Sequence, residues 1–321
     1  MKKQFFSYAA AMALFVLLVL YSAPARTGAV QGLELWSGLL VPSLLPYFAA
    51  AGLLTRLGFI DAVGRRLSGT GARLFGVSGT GCGIFLLGLS GGYPLGAAAV
   101  ADAVRAGTLD RQEAERLLGF CDNTGPAFAV GALGAGVFRS AGWGLFLWGI
   151  HALTAVLLGL AGRRAGQADA AAPPPARGKA LSFPDALTAA VAAAVSALIG
   201  IGGYVVFFSA LLGVTDALGF PHRAAEALAG LSGGDPAFFR AMFTGALELS
   251  SGIGDMAALP LTPASLALGA FLLGWGGLCV HLQAVSVTAD AGLSLGGRLR
   301  GKLCHGLLSA ALAFCLASLL L

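Results

Sequence analysis

The chain has 321 residues, of which 57% are hydrophobic and only 11% charged, and its net charge is +5. Mean hydropathy is +0.83 and the pI about 9.1. Soluble domains average about 45–50% apolar and about 25% charged residues, so a soluble globular fold is excluded and an integral membrane protein is implied. The surplus of Lys and Arg reads as the loading of cytoplasmic loops, not as a nucleic-acid surface. Cys82, Cys121, Cys279, Cys304 and Cys315 all fall in apolar stretches without C-x-x-C spacing. They read as small buried residues rather than a disulfide framework or metal cage.

Residues 5–23 are apolar and follow Lys2-Lys3. Nineteen helical residues reach roughly 28 Å, close to the ~30 Å hydrocarbon core, so this is a first span and a signal-anchor. The alternative is a cleavable signal peptide, since Ala23-Pro24-Ala25 resembles an A-x-A site. Residues 33–54 form the next span, with a kink expected at Pro42 and Pro46. A basic loop follows with Arg56, Arg65, Arg66 and Arg73. Residues 79–103 are apolar but broken at 90–96, and read as a re-entrant hairpin. Asp110-Arg111-Gln112-Glu113 has the D-x-x-E form of a capping box and opens a charged interfacial helix over 111–120. Residues 117–138 form a span interrupted at Asp122–Pro126, and 141–161 cross back to Arg163-Arg164.

Residues 166–179 hold Pro173-Pro174-Pro175 among small and polar residues, a linker composition that divides the chain in two. Beyond it, 186–212 read as a span and 215–240 as an exposed segment with a short helix. A second broken hairpin covers 241–259 around Glu248-Leu249-Ser250-Ser251-Gly252. Residues 264–289 span again, Arg298, Arg300 and Lys302 form a basic loop, and 303–321 make the last span. The expected fold is thus an all-α polytopic membrane protein with about seven crossings and two re-entrant hairpins. It places sixteen Lys and Arg inside and four outside (Arg26, Arg139, Arg223 and Arg240), the asymmetry of a membrane protein with a cytoplasmic N-terminus.

The halves repeat weakly. Leu57-Gly58-Phe59 matches Leu218-Gly219-Phe220, and Leu89-Ser90-x-Gly92 matches Leu249-Ser250-x-Gly252, at offsets of 161 and 160. Hairpins entering from opposite sides and a repeat are the pattern of an inverted-repeat transporter. The expected division is 1–30 as an N-terminal membrane helix, 31–164 as the first repeat, 165–184 as a cytoplasmic linker and 185–321 as the second repeat.

Glycine and proline breaks leave backbone groups unpaired, which lipid does not tolerate unless protein or a polar cavity covers them. Asn123 and Thr124 before Gly125-Pro126 mark a helix N-terminus inside the membrane, suited to an anionic ligand group. Glu248 is an ionisable side chain inside a hairpin, able to bind a proton, a cation or a hydrogen-bond donor. His281 and Gln283 lie in a span after Gly276-Gly277, while His151, His222 and His305 have no companions in the sequence. Gly296-x-x-x-x-Gly301-Lys302 lacks the Ser/Thr and the strand of a P-loop, and no catalytic or zinc set stands out. The expected substrate-binding set is Ser90, Gly92, Tyr93, Pro94, Asn123, Thr124, Gly125, Pro126, Glu248, Ser250, Ser251, His281 and Gln283. The expected partners are a small solute and the lipid bilayer, with a homo-oligomer left open. No cofactor or metal is called for beyond a coupling proton or sodium ion, and the protein reads as a carrier rather than an enzyme.

Ser90-Gly91-Gly92-Tyr93-Pro94-Leu95-Gly96-Ala97 resembles the S-G-Y-P-x-G-A element of the sporulation integral membrane proteins of the YlbJ type, which carry the nucleoside-recognition Gate domain. Residues 113–126, ending Cys121-Asp122-Asn123-Thr124-Gly125-Pro126, resemble their E-x-E-R-L-L-x-F-x-N-N-[ST]-[GS]-P stretch. Gly245–Gly252 resembles G-L-[FL]-E-[IM]-[TS]-x-G, and Gly277–Gln283 resembles G-L-S-V-H-x-Q. The matches run in order from about residue 35 to 315. This chain departs by an extra Gly in S-G-Y-P, by Asp122 for the first Asn and by Cys279 for Ser. The resemblance implies a transporter-like protein of the bacterial cytoplasmic or outer forespore membrane that moves dipicolinic acid during stage V of sporulation. A nucleoside-type solute, or a scaffold role in spore-envelope assembly, is the alternative.

Overall fold

The computed structural model describes residues 2–163 and 181–321, and every regular element in them is helical. The linker expected at 166–179 lies outside the described residues, as does Arg164. Among the described residues five helices are long and apolar enough to cross a membrane, and a sixth if one bent pair counts as a span. Large apolar side chains are exposed along them, among them Ile199, Leu307 and Phe314, as a lipid-facing surface requires. The chain is an integral membrane protein.

The first helix, α1 (Lys2–Leu20), packs little against the rest. α2 (Ser22–Leu35) continues through a π-helical stretch, Trp36–Leu40, into α3 (Val41–Arg56), giving one 35-residue span. The expected boundaries at residues 30 and 33 therefore fall inside a continuous helix. The kink expected at Pro42 and Pro46 takes the form of this π stretch, where the Val41 N–H reaches back to the Trp36 carbonyl. Widening the turn accommodates the missing proline N–H and the ring. The small residues before position 33, which look like a loop, are a packing face. A Cβ on Gly32 would lie 2.7 Å from the Ser209 side chain, and one on Gly202 2.7 Å from the Trp36 indole.

That face packs on α9 (Phe183–Ala217), also 35 residues long. Gly28 meets Ser209, Gly32 meets Val206, Trp36 meets Gly202 and Gly52 meets Ala190. Numbers rise on one helix as they fall on the other, so the two spans run antiparallel and pack side by side along most of their length, most closely around Gly28 and Gly213. Trp36 Nε1 donates to the Leu198 carbonyl at 2.8 Å. Each span ends in Leu-Gly-Phe, with Gly58 (φ +78°) and Gly219 (φ +71°) both left-handed. A short amphipathic helix follows each, α4 (Phe59–Phe75) and α10 (Phe220–Ser232). α4 replaces the basic loop expected after Arg56 and meets α5 (Gly79–Gly91) at 90°.

α5 and α6 (Leu95–Arg105) form the first expected hairpin. Thirteen and eleven residues reach only about 20 and 17 Å, too short to cross alone. Chain reversal is direct: a Cβ on Gly88 would come within 3.4 Å of the Gly96 Cα, which no continuous helix allows across eight residues. The second hairpin is α11 (Pro236–Leu247) and α12 (Leu249–Asp255), where Gly252 packs on the Gly245 backbone. α7 (Arg111–Leu117) is shorter than expected and half of its capping box forms. Asp110 Oδ1 accepts from the Glu113 N–H at 2.9 Å, but the Glu113 carboxylate accepts from the Ser78 N–H at 2.6 Å and so ties α7 to the start of α5. The span expected over 117–138 is instead an unwound stretch and an 11-residue π-helix, Ala127–Val137.

α8 (Ala141–Ala161) matches its expected span. α13 (Pro263–Trp275) and α14 (Gly277–Thr288) divide the expected 264–289 span at Gly276, and α15 (Gly296–Leu320) closes the chain. The basic loop expected before residue 303 does not exist: Arg298, Arg300 and Lys302 lie in the first turns of α15. Arg298 and Lys302 are buried, so two of the sixteen charges assigned to the cytoplasm belong to the interior.

Candidate functional site

Four chain breaks meet at the centre: Gly92–Pro94, Asp122–Pro126, Glu248 and Gly276-Gly277. A helix that stops in the membrane must place its end groups elsewhere. Gly276 (φ +83°) and Gly277 (φ +78°) turn the chain left-handed, and α13 ends at Trp275. The Leu273 carbonyl then accepts from Tyr93 Oη at 3.0 Å and Thr124 Oγ1 at 2.9 Å. Glu248 joins α11 to α12 with an extended backbone, and its carboxylate accepts from the Ser250 N–H at 3.0 Å and the Ser251 N–H at 2.6 Å. Trp275 Nε1 donates to the Ala246 carbonyl at the end of α11. The Gly276 break is thus held by side chains from two other breaks, and the end of α11 by Trp275 beside the Gly276 break.

Beside these lies a fully buried network of charged and polar groups. Arg298 donates to Asp122 Oδ2 from Nη2 at 2.7 Å and from Nε at 3.1 Å, and its Nη1 meets His281 Nδ1. Asp122 Oδ1 accepts from the Ala97 N–H at 3.2 Å. Lys302 Nζ donates to Asn123 Oδ1 at 3.1 Å and contacts His305 Nδ1 at 3.3 Å. His151 stacks on His305 with ring centroids 4.2 Å apart, and its Nε2 accepts from the Thr124 N–H at 3.1 Å. Arginine and lysine only donate, so each histidine nitrogen facing them carries a lone pair. Asp122 balances one of the two cations.

A narrow cavity of about 50 Å³ opens on the other side of Tyr93. Gly92, Tyr93, Thr124, Gly125, Glu248, Ser250 and Gln283 line it, with an apolar wall of Leu40, Leu44, Ile201 and Val205 from the two long spans and Phe128 from the π-helix. A pocket for a small organic molecule measures about 300 Å³ or more, so this one is smaller than such a solute needs. A second cavity of about 260 Å³ adjoins it through Ile201 and Gln283, with Pro94 and Tyr204 in its wall. Polar groups on one side and aliphatic groups on the other suit a small amphipathic solute.

Seven of the thirteen expected residues therefore share one cavity wall. Asn123 and His281 sit in the charge network behind it, and Ser251 holds Glu248. Pro126 starts the π-helix, and Pro94 follows a cis peptide bond. Ser90 is exposed and its hydroxyl donates to Leu87 of its own helix, away from the cavity. Sequence reasoning missed Asp122, Arg298, Lys302, His151 and His305, and it left the last two without companions. A signal was present: 298, 302, 305 and 309 follow helical spacing, so Arg298, Lys302, His305 and Ser309 form one polar stripe along a largely apolar helix.

These features define an all-helical integral membrane protein with interrupted helices around a charged interior. The chain is a distant homologue of the sporulation integral membrane protein YlbJ of Bacillus subtilis (strain 168). They are 27% identical over 307 residues, covering 87% of this chain and 74% of that protein. No family model and no solved structure matches the chain.

Proposed function

We propose that this protein is a secondary transporter of a small anionic solute, with dipicolinic acid, moved during sporulation, as the first candidate. The observation that carries the reading is the convergence of chain breaks from both halves: Gly92–Pro94, Asp122–Pro126 and Glu248 contribute to the wall of one small cavity, the Gly276 break is tied to two of them through the Leu273 carbonyl, and a two-cation, one-carboxylate network lies behind. Broken helices around a central site are the usual construction of a carrier. The excess positive charge favours an anion, and the YlbJ homologue supplies the sporulation context.

The proposed architecture is an inverted repeat of 31–164 and 185–321 with seven crossings and two re-entrant hairpins, anchored by 1–30. It sits in the bacterial cytoplasmic or outer forespore membrane. The antiparallel packing of two 35-residue spans supports it, as do the matching Leu-Gly-Phe ends and the hairpin in each half. α8 and α15 support it again: His151 pairs with His305 while Leu158 and Gly162 near the end of α8 share a cavity wall with Gly297 and Gly301 near the start of α15. A proton or sodium gradient is the proposed driving force.

The test is uptake of labelled dipicolinate into liposomes holding the purified protein, with uridine as the competing solute, under pH and sodium gradients. Saturable entry that uridine does not compete with is expected. Asn123→Ala and Glu248→Gln should each lower it about tenfold or more, the worth of one hydrogen bond to a charged group. Uptake of uridine alone, or of neither solute by folded protein, refutes the proposal.

A further inference from the structure

Lys302 is a buried cation whose bonded partners carry no negative charge. Its ammonium is fully enclosed and donates to Asn123 Oδ1 and to His305 Nδ1. His305 is neutral in this arrangement: its Nε2 lies 3.0 Å from the His151 carbonyl, which only accepts, so Nε2 holds the hydrogen and Nδ1 the lone pair. The other charged and titratable groups around it are already committed. Asp122 is taken by two bonds from Arg298 and one from the Ala97 N–H. His281 accepts from Arg298, and Glu248 has both oxygens on the first turn of α12. His151 accepts from the Thr124 N–H, and Cys121 and Tyr93 complete the surroundings. The Tyr93 ring stands 5.4 Å from the Lys302 ammonium, and the same ring lines the cavity.

An ammonium held inside a membrane protein without a bonded counter-charge is costly, and such groups mark pathways and binding sites. We infer that Lys302, Asn123 and His305 form a carboxylate-binding subsite, screened from the cavity by the Tyr93 ring. When the ring swings aside, the solute's carboxylate takes the N–H of Lys302 that neither Asn123 nor His305 holds. This deepens the transport reading of the same cavity: the excess charge resides on Lys302, and a neutral isostere of the solute lacks the group it recognises.

The experiment is equilibrium binding to the purified full chain in detergent, with labelled dipicolinate and its neutral diamide, alongside thermal unfolding to confirm the fold. Wild-type protein is expected to prefer the dicarboxylate, and Lys302→Gln to lose that preference by roughly ten- to a hundredfold, the worth of a charge-assisted hydrogen bond of about 1.5–3 kcal/mol. Asn123→Asp is the second variant, because it places an internal carboxylate on Lys302 at an unchanged position. It should fold and no longer bind the dicarboxylate preferentially. Equal preference in wild type and a folded Lys302→Gln overturns this assignment alone. If Lys302→Gln does not fold, retained preference in Asn123→Asp overturns it. Wild-type protein that binds no carboxylate overturns the proposed function and the assignment together.

Discussion

Asp122→Asn is the sharpest probe of the interior, since it removes the one carboxylate that meets Arg298. The Asp122 and Arg298 side chains are 0% and 1% exposed, and two hydrogen bonds at 2.7 and 3.1 Å join them. Removing one partner of such a pair leaves an uncompensated buried charge and costs about 3–5 kcal/mol. Asparagine retains a carbonyl oxygen for the Ala97 N–H, so the loss should lie near the lower end, about 3 kcal/mol. Replacing both charges, Asp122→Asn with Arg298→Gln, should recover most of it, because no charge is then left unpaired. The assay is denaturant unfolding in mild detergent, followed by tryptophan fluorescence, for the wild type, both single variants and the double. A single-variant cost below about 1 kcal/mol, or strictly additive costs in the double, would refute the argument that this pair is a mutually dependent buried unit.

Three further outcomes are expected. Gly276→Ala puts a Cβ at φ +83° and should cost about 1–2 kcal/mol in the same unfolding assay, with no compensation from nearby space. Gly202→Ala drives a Cβ to 2.7 Å from the Trp36 indole and should lower stability by about 1–3 kcal/mol, with a change in Trp fluorescence reporting the displaced ring; an unchanged spectrum counts against the tight packing. Glu113 lies outside the spans, and burial pushes its carboxyl up despite the Ser78 N–H, which favours the ionised form. A raised acid contributes stability below its unfolded value, and that stability is lost as pH rises through the folded value. Glu113→Gln keeps an acceptor for Ser78 and should therefore flatten the decline in stability between about pH 4.5 and neutrality, the window above the ordinary glutamate value; an identical pH profile in variant and wild type would contradict this.

Most of the spans were legible in the sequence because apolar length alone decides them, and 141–161 agrees to the residue. Three of the breaks were legible for a related reason: Gly92, Pro126 and the Glu248–Gly252 stretch announce backbone that no apolar helix uses, whereas the break at Gly276-Gly277 was read as part of one span over 264–289. What could not be read was which breaks meet. Lys302 and Asn123 lie 179 positions apart, and nothing local distinguishes a buried lysine from a loop lysine when both flank an apolar run. Loop charge counting then assigned Arg298 and Lys302 to the wrong side of the protein surface, although their helical spacing with His305 was visible. The start of the first long span was lost because Gly28 and Gly32 look like loop composition. They are small so that another backbone can approach.

The two hydroxyls that end on Leu273 set a rule for movement. In an unbroken helix that carbonyl would accept from the Gly277 N–H. Here the Tyr93 and Thr124 hydroxyls occupy it, and a carbonyl oxygen has only two lone pairs. Straightening the chain through Gly276 therefore takes one lone pair back for the helix and leaves room for only one of the two hydroxyls. Bending at Gly276 and the full latch of the first half are linked through one atom: both hydroxyls can rest there only while the helix is broken.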